Sequence, residues 1–313
     1  MYRIGIDLGG TNIAAGLVTE DGTLVKKISV PTNSNENAKA ITEKMAKVSL
    51  ELIAARGIEE NDVSSIGIGF PGAVDAEKGI CVLTPNLPFE NTDVRSIFRN
   101  LTKIPVRLNN DANCAALGEV IAGAAKKSGI AIAVTLGTGV GGGIVINGEI
   151  FCGFNFAGGE LGHMVTHKNG RKCNCGRKGC FETYASATAL INDTKEAAKA
   201  NPNSAIWDIC GGDIDKINGK TVFDAMQAGD AAAKNVFENY IDELALGIIN
   251  YINIFQPEVI ILGGGIANQK ENLLKPLREK VFKESYGAEF LPRTRIECAV
   301  LGNDAGIIGA AML

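Results

Sequence analysis

Apolar and polar positions follow two periods along the chain. Tyr2–Leu8 is an apolar, partly β-branched run that ends in the corner DLGGTN. Ile13–Thr19 reads as a second strand, Asp21-Gly22 as a hairpin turn and Leu24–Val30 as a third strand, so the chain opens with a three-strand meander. From Ala38 to Arg56 the period changes. Ile41, Met45, Val48 and Leu52 fall at helical spacing, and Gly57 supplies a stop. Ser65–Phe70 is the next strand, closed by Pro71-Gly72. Val106–Leu108 is another, running into Asn109-Asn110-Asp111 and a helix to about Gly123.

The opening pattern then returns. Ala131–Ile150 (AIAVTLGTGVGGGIVINGEI) is again strand, glycine corner, strand, Asn147-Gly148 turn and strand, with Leu136-Gly137 matching Leu8-Gly9. Helices are expected from about Glu182 to Ala200 and from about Asp230 to Phe255, where Pro257 closes the second. The strand EVIILGGG leads into a further helix, and Arg295–Val300 precedes a terminal helix from about Asn303. Alternating strands and helices specify the α/β class, and two similar halves would set a cleft between them.

Composition narrows the class. The chain has 313 residues, 46% of them hydrophobic and 21% charged, enough for a full core and unlike a disordered or membrane composition. No apolar run approaches the roughly 20 residues of a spanning helix. The N-terminus enters a strand at once, leaving no room for a signal peptide, so a cytoplasmic location is expected. A net charge of −4 without a basic stripe argues against nucleic acid as a partner.

The 38 glycines matter more. Three corners follow strands: Asp7–Thr11 (DLGGT), Leu136–Gly143 (LGTGVGGG) and Leu262–Gly265 (LGGG). Backbone N–H groups at such corners can cradle phosphate oxygens. The P-loop pattern is absent. GxGxxG occurs at Gly137–Gly142, but a strand follows it rather than the helix a dinucleotide requires. Asp7 suits Mg²⁺, directly or through water, and Thr11 suits a phosphate oxygen.

Residues 159–183 (GELGHMVTHKNGRKCNCGRKGCFET) hold both histidines of the chain and three of its eight cysteines. His163, Cys173, Cys175 and Cys180 supply the four N and S donors of a closed tetrahedral zinc site. A reducing compartment disfavours a disulfide, and a redox pair would not need four such residues. His167 falls outside the set and is expected on the surface. Asn109–Asn113 lies at a strand-to-helix junction, where Asn and Asp serve as helix caps as readily as catalytic groups.

The corners DLGGT, GTG at Gly137–Gly139 and LGGG, with NNDANCAALGE (Asn109–Glu119) and the cysteine pattern CxCGxxGCxE, resemble the ROK sugar kinases of the hexokinase–actin superfamily across nearly the whole chain. The resemblance implies two ribonuclease H-like (actin/hexokinase-type) α/β domains flanking a cleft. A smaller domain would span 1–115, with the C-terminal helix 303–313 packed back on it. A larger one would span 116–302 and carry the zinc loop.

It also implies ATP-dependent phosphorylation of a hexose, with the 6-hydroxyl of glucose first and N-acetylmannosamine or fructose as alternatives. Asp111 matches the catalytic base. Gly72, Asn86, Asn110, Glu160, His163 and Glu182 match sugar-binding positions. Asp7, Gly9, Gly10, Thr11, Asn12, Gly137, Thr138, Gly139, Gly263, Gly264 and Gly265 would hold ATP and Mg²⁺, with the LGGG glycines beside the adenosine. Zn²⁺ would be structural, and a homodimer or larger homo-oligomer is implied. The family also holds sugar-responsive repressors; with the first corner beginning at Asp7 no room is expected for their N-terminal DNA-binding module, which disfavours that reading.

Overall fold

In the computed structural model, which describes residues 1–313, the opening apolar run forms β1 (Tyr2–Leu8), and β2 (Asn12–Thr19) and β3 (Leu24–Pro31) follow it as an antiparallel meander. α1 (Ala38–Arg56) is capped by the Asn37 side chain on the Ala40 N–H at 2.9 Å. It ends at Gly57, whose φ of 71° is left-handed backbone suited to glycine. Its face of Ile41, Met45, Val48 and Leu52 is buried in the core. β4 (Val63–Phe70) lies parallel to β1 and brings Gly69 beside Asp7.

Residues 71–93, whose Gly- and Pro-rich stretches suggest only turns, hold a small sheet of β5 (Ala73–Asp75), β6 (Ile80–Leu83) and β7 (Glu90–Asp93). These strands are too short to carry an apolar period, and β7 is entirely polar. α2 (Val94–Arg99) follows. β8 (Val106–Asn110) pairs parallel with β4, Asn110 beside Phe70, and α3 (Asp111–Ala122) starts at its end. The first sheet has the order β3-β2-β1-β4-β8. The C-terminal ends of its parallel strands, where open α/β sheets present functional groups, therefore carry Asp7 and the Asn110-Asp111 pair.

The second sheet is built from β9 (Ile130–Leu136), β10 (Val140–Ile146) and β11 (Glu149–Ile150), completed by later strands. The helix expected from Glu182 to Ala200 is two: α4 (Glu182–Ala185) and α5 (Ala187–Ala200). Ser186 between them is extended, and its hydroxyl caps α5 on the Ala189 N–H at 3.1 Å. α6 (Ala205–Ile209), α7 (Thr221–Gln227), α8 (Ala231–Phe255), β12 (Val259–Gly263), α9 (Glu271–Glu284), β13 (Arg295–Cys298) and α10 (Ala305–Ala311) complete the chain. The order β11-β10-β9-β12-β13 repeats that of the first sheet, with an antiparallel hairpin on one side and a parallel pair on the other.

Two compact units result. The first comprises Met1–Ala133, Gly143–Gly159 and Val300–Leu313; the second comprises Val134–Gly142 and Glu160–Ala299. In the first unit α10 packs on β1, β4 and α3. The approach is close enough that a Cβ at Gly5 would overlap the Ile307 carbonyl, and one at Gly309 the Cys114 carbonyl. Glu119 of α3 is buried at 2% exposure. Its carboxylate accepts the N–H groups of Ala124, Val300 and Leu301 at 2.8, 3.0 and 2.9 Å, so α3 grips the segment that leads into α10. No helix is long and apolar enough to cross a membrane.

Candidate active site and metal centre

In the first unit the residue that caps α3 is Asn110, whose Oδ1 accepts from Ala112 N–H at 2.9 Å and Asn113 N–H at 3.2 Å. Its Nδ2 donates to the Gly72 carbonyl at 3.3 Å. Asp111, one residue on, accepts the Ala112 N–H at 2.8 Å. Helix capping thus accounts for Asn110 and leaves the acid next to it to be explained. Gly72 lies hard against β6, where a Cβ would overlap the Leu83 carbonyl. Asn86 is exposed on the β6–β7 loop and bonds to none of these residues.

The first corner is closed by the Gly9 N–H on the Asn12 carbonyl at 2.9 Å, and braced by Thr32, whose hydroxyl donates to the Gly9 carbonyl at 2.7 Å. Gly10, Thr11 and Asn12 are exposed. A Cβ at Gly10 would meet nothing within 4 Å, so the backbone there faces open space.

Asp7 stands at this corner with the Gly306 Cα behind its carboxyl. Burial, and secondly the charge of Asp111, push its pKa from the ordinary 3.8 up to about 6. Two carboxylates that raise one another's cost of ionisation are a natural seat for a cation. In the ligand-free protein the folded state favours protonated Asp7. Its contribution to stability is therefore full below about pH 4 and lost as pH rises through about 6. Urea midpoints of wild type and Asp7→Asn, followed from about pH 4 to about pH 7, should show the wild type losing more stability over that window. Parallel curves would contradict the shift.

In the second unit two corners come together. A Cβ at Gly264 would overlap the Leu136 carbonyl, and the Gly137 carbonyl accepts the Ala187 N–H at 2.9 Å. Gly137 and Gly265 both face open space, and Thr138 is exposed. Among the corner glycines only Gly264, with φ 85°, has the left-handed backbone that glycine favours. For Gly10, Gly137 and Gly265 the absence of a side chain, and the approach it allows from outside, is the property on display.

Glu160 and His163 stand at the two ends of a single 3₁₀ turn, closed by the His163 N–H on the Glu160 carbonyl at 3.1 Å. Tyr251 of α8 fixes that turn by donating to the Leu161 carbonyl at 2.8 Å. The coordinating atoms of His163, Cys173, Cys175 and Cys180 all lie within 4.8 Å of one another. Cys175 Sγ and Cys180 Sγ are 3.6 Å apart, and Cys173 Sγ is 3.7 Å from His163 Nδ1. Zinc bonds of about 2.0–2.3 Å set tetrahedral ligands roughly 3.3–3.8 Å apart; these two separations fall in that range, and the N and S donors are of the kind zinc takes.

Glu182 opens α4 against the cluster. Its Oε1 accepts the Cys173 S–H at 2.9 Å, its Oε2 the Val140 N–H at 3.4 Å, and Gly139 leaves it room. Burial, then this bond to Glu182, pushes the Cys173 thiol up to about 12. The Arg177 N–H first of all brings exposed Cys175 down to about 6. A bound metal would take Cys173 as thiolate, which has no proton to give Glu182, and would release that carboxylate oxygen.

Several residues of this region carry no sequence signal. His167, expected on the surface, is half-buried. Its ring stacks on Tyr184 at 4.2 Å, and its Nε2 is 3.4 Å from Glu243 Oε1. Arg171 lies over the same tyrosine at 4.7 Å and pairs with Asp193 at 2.9 Å. Together they pin the cysteine loop to α5 and α8. These pairs join residues far apart in the chain, and no local period marks them.

Residues 3–313 match the ROK family. The chain is 38% identical over 311 residues to a glucokinase of Thermotoga maritima, covering 99% of this chain and 96% of that protein. A ROK family glucokinase from Streptomyces griseus, solved in complex with glucose and AMPPNP, is similar at a TM-score of 0.78 and 33% identity, over 99% of this chain and 98% of that one. A ROK hexokinase from Thermus thermophilus gives a TM-score of 0.81 at 32% identity, over 100% and 97% of the two chains. With a family match over almost every residue and solved ROK enzymes of the same fold, the chain belongs to the ROK family.

Proposed function

We infer that this ROK chain is a sugar kinase that transfers the γ-phosphoryl group of ATP to glucose, at its 6-hydroxyl. The observation that carries the reading is end-to-end similarity to glucokinases, 38% identity over 99% of the chain in one case. Asp7, Thr11 and Asp111, the groups such a reaction needs, are all present.

The sugar hydroxyl oxygen attacks the γ-phosphorus and its proton passes to an Asp111 carboxylate oxygen, while the bond from γ-phosphorus to the bridging oxygen breaks and ADP leaves. Asn110 has one Nδ2 hydrogen on Gly72, and the other can serve a sugar hydroxyl. With Nδ1 ligating a metal beside Cys173 Sγ, His163 would carry its proton on Nε2 and offer it to a second hydroxyl, and Glu160 and Glu182 would accept from others. Gly72 and Asn86 would line the sugar pocket. Backbone N–H groups of Gly9, Gly10, Asn12 and Gly137–Gly139, with the Thr11 and Thr138 hydroxyls, would hold phosphate oxygens. Gly263–Gly265 would pass beside the adenosine.

Mg²⁺, held by Asp7 directly or through water, would supply charge neutralisation on the phosphates. Zn²⁺ held by His163, Cys173, Cys175 and Cys180 would be structural, since four protein donors leave no open position. A coupled ADP-release assay with glucose, mannose, fructose, N-acetylglucosamine and N-acetylmannosamine tests the substrate. Glucose should give the highest kcat/KM, and a clear preference for N-acetylmannosamine or fructose would replace it.

A further inference from the structure

Asn109 is the penultimate residue of β8, Asn113 stands in the first turn of α3, and neither has a part in the chemistry above. Both are buried, with exposures of 9% and 4%. Asn109 Oδ1 accepts from the Asn110 N–H at 2.8 Å and from Asn113 Nδ2 at 3.0 Å. Cys152 Sγ lies against the same amide, 3.5 Å from Asn109 Nδ2 and 3.7 Å from its Oδ1. The peptide before Asp111 is therefore held by one buried amide and the turn after it by another. Asn110, between them, has its Oδ1 on the helix cap and one Nδ2 hydrogen on Gly72.

The far end of the Asn113 amide is the telling part. Its Oδ1 is buried without a hydrogen-bond partner. Turning the amide over would set two oxygens against each other at Asn109, so the orientation follows from that bond. A buried unpaired carbonyl costs more than one hydrogen bond contributes net. Stability alone gives little reason for an amide here, because an apolar side chain of similar size would satisfy the same space at no such penalty.

We propose that Asn109 and Asn113 are positioning residues for phosphoryl transfer. They act through Asp111, fixing the strand-to-helix corner from which its carboxylate is presented. The proposal rests on the reading of Asp111 as proton acceptor. A misplacement of about an ångström at such a group costs up to about 10²-fold in rate, whereas an apolar side chain at Asn113 removes the unpaired Oδ1 together with the bond, which offsets the bond's contribution to stability.

The test uses Asn113→Leu and Asn109→Ala, which attack the same bond from its two ends, each made alone and together with Asp111→Asn. Steady-state kinetics and urea midpoints are measured on the full chain. Asn113→Leu should lower kcat about 10- to 100-fold, with the KM for ATP within about two-fold and an unchanged or higher urea midpoint. Asn109→Ala should lower kcat in the same direction. Neither should lower it further once Asp111 is Asn, because groups that act through one another are not additive. The proposal is overturned if both single variants keep kcat within a few-fold. It is equally overturned if their losses repeat in full in the Asp111→Asn background, or if they follow a fall in folded fraction. Should Asp111→Asn alone keep its activity, the base assignment fails first and the positioning role with it; an inactive Asp111→Asn beside active asparagine variants removes the positioning role alone.

Discussion

Asp111→Asn is expected to lower kcat at least ~10²-fold while glucose affinity stays nearly intact, the range assigned to a positioned base. That is about 2.7 kcal/mol on the barrier. The substitution isolates proton acceptance because it preserves nearly everything else. An asparagine Oδ1 can still accept the Ala112 N–H that Asp111 accepts at 2.8 Å. Helix capping is undisturbed, since Asn110 performs it. The change also removes one of the two causes that raise the Asp7 pKa, so the folded protein should not suffer. Steady-state kinetics with glucose calorimetry check both halves. Turnover within a few-fold of wild type would leave Asp111 as a helix first-turn residue and nothing more.

Loss of the metal should be the more severe injury to the sugar side. Between His163 and Phe181 the chain has almost no regular structure: two isolated bridges, Val165 to Cys180 and Lys172 to Lys178, and a few turn hydrogen bonds. Buried Phe181, edge-on to Tyr251 at 5.9 Å, and the Arg171–Tyr184–His167 stack anchor the loop's flanks but not its sulfurs. Binding energies of about 10–16 kcal/mol for four-ligand zinc sites are folding energy for the segment that supplies the ligands.

Elemental analysis should therefore find about one zinc per chain. Cys175→Ser should lose the metal, become sensitive to proteolysis between residues 163 and 182, and show a strongly raised KM for glucose. Glu160, His163 and Glu182 lie on this loop or at its ends, so their contacts should go first. ATP affinity should fall less if the rest of the second unit stays folded. Protein that purifies without zinc, or a metal-free variant with unchanged glucose KM and proteolysis pattern, would contradict the assignment.

What can be read from the chain alone is what depends on neighbours in sequence. The opening meander and α1 follow from periods of 2 and 3.6 residues, and the second sheet from a repeat of the first pattern. The four candidate metal donors fall between His163 and Cys180, a span short enough for glycine turns to gather them, and they do gather. The glycine corners are legible too, though their reason is not. Only Gly264 has the left-handed backbone, and the others differ in what lies around them, open space at Gly10 and Gly137 and the Asn12 carbonyl close by at Gly9.

Tertiary structure alone decided the pairs that chemistry depends on. Asp7 and Asp111 raise the cost of each other's charge because β1 and β8 flank β4, a fact of strand order and not of spacing. The break at Ser186, the short strands β5–β7 and the grip of Glu119 on residues 300 and 301 have the same origin. So do the Asn109–Asn113–Cys152 contacts. Each is set by which buried hydrogen bonds remain to be satisfied once the sheets have packed, and local propensity carries no information about partners brought in from distant chain.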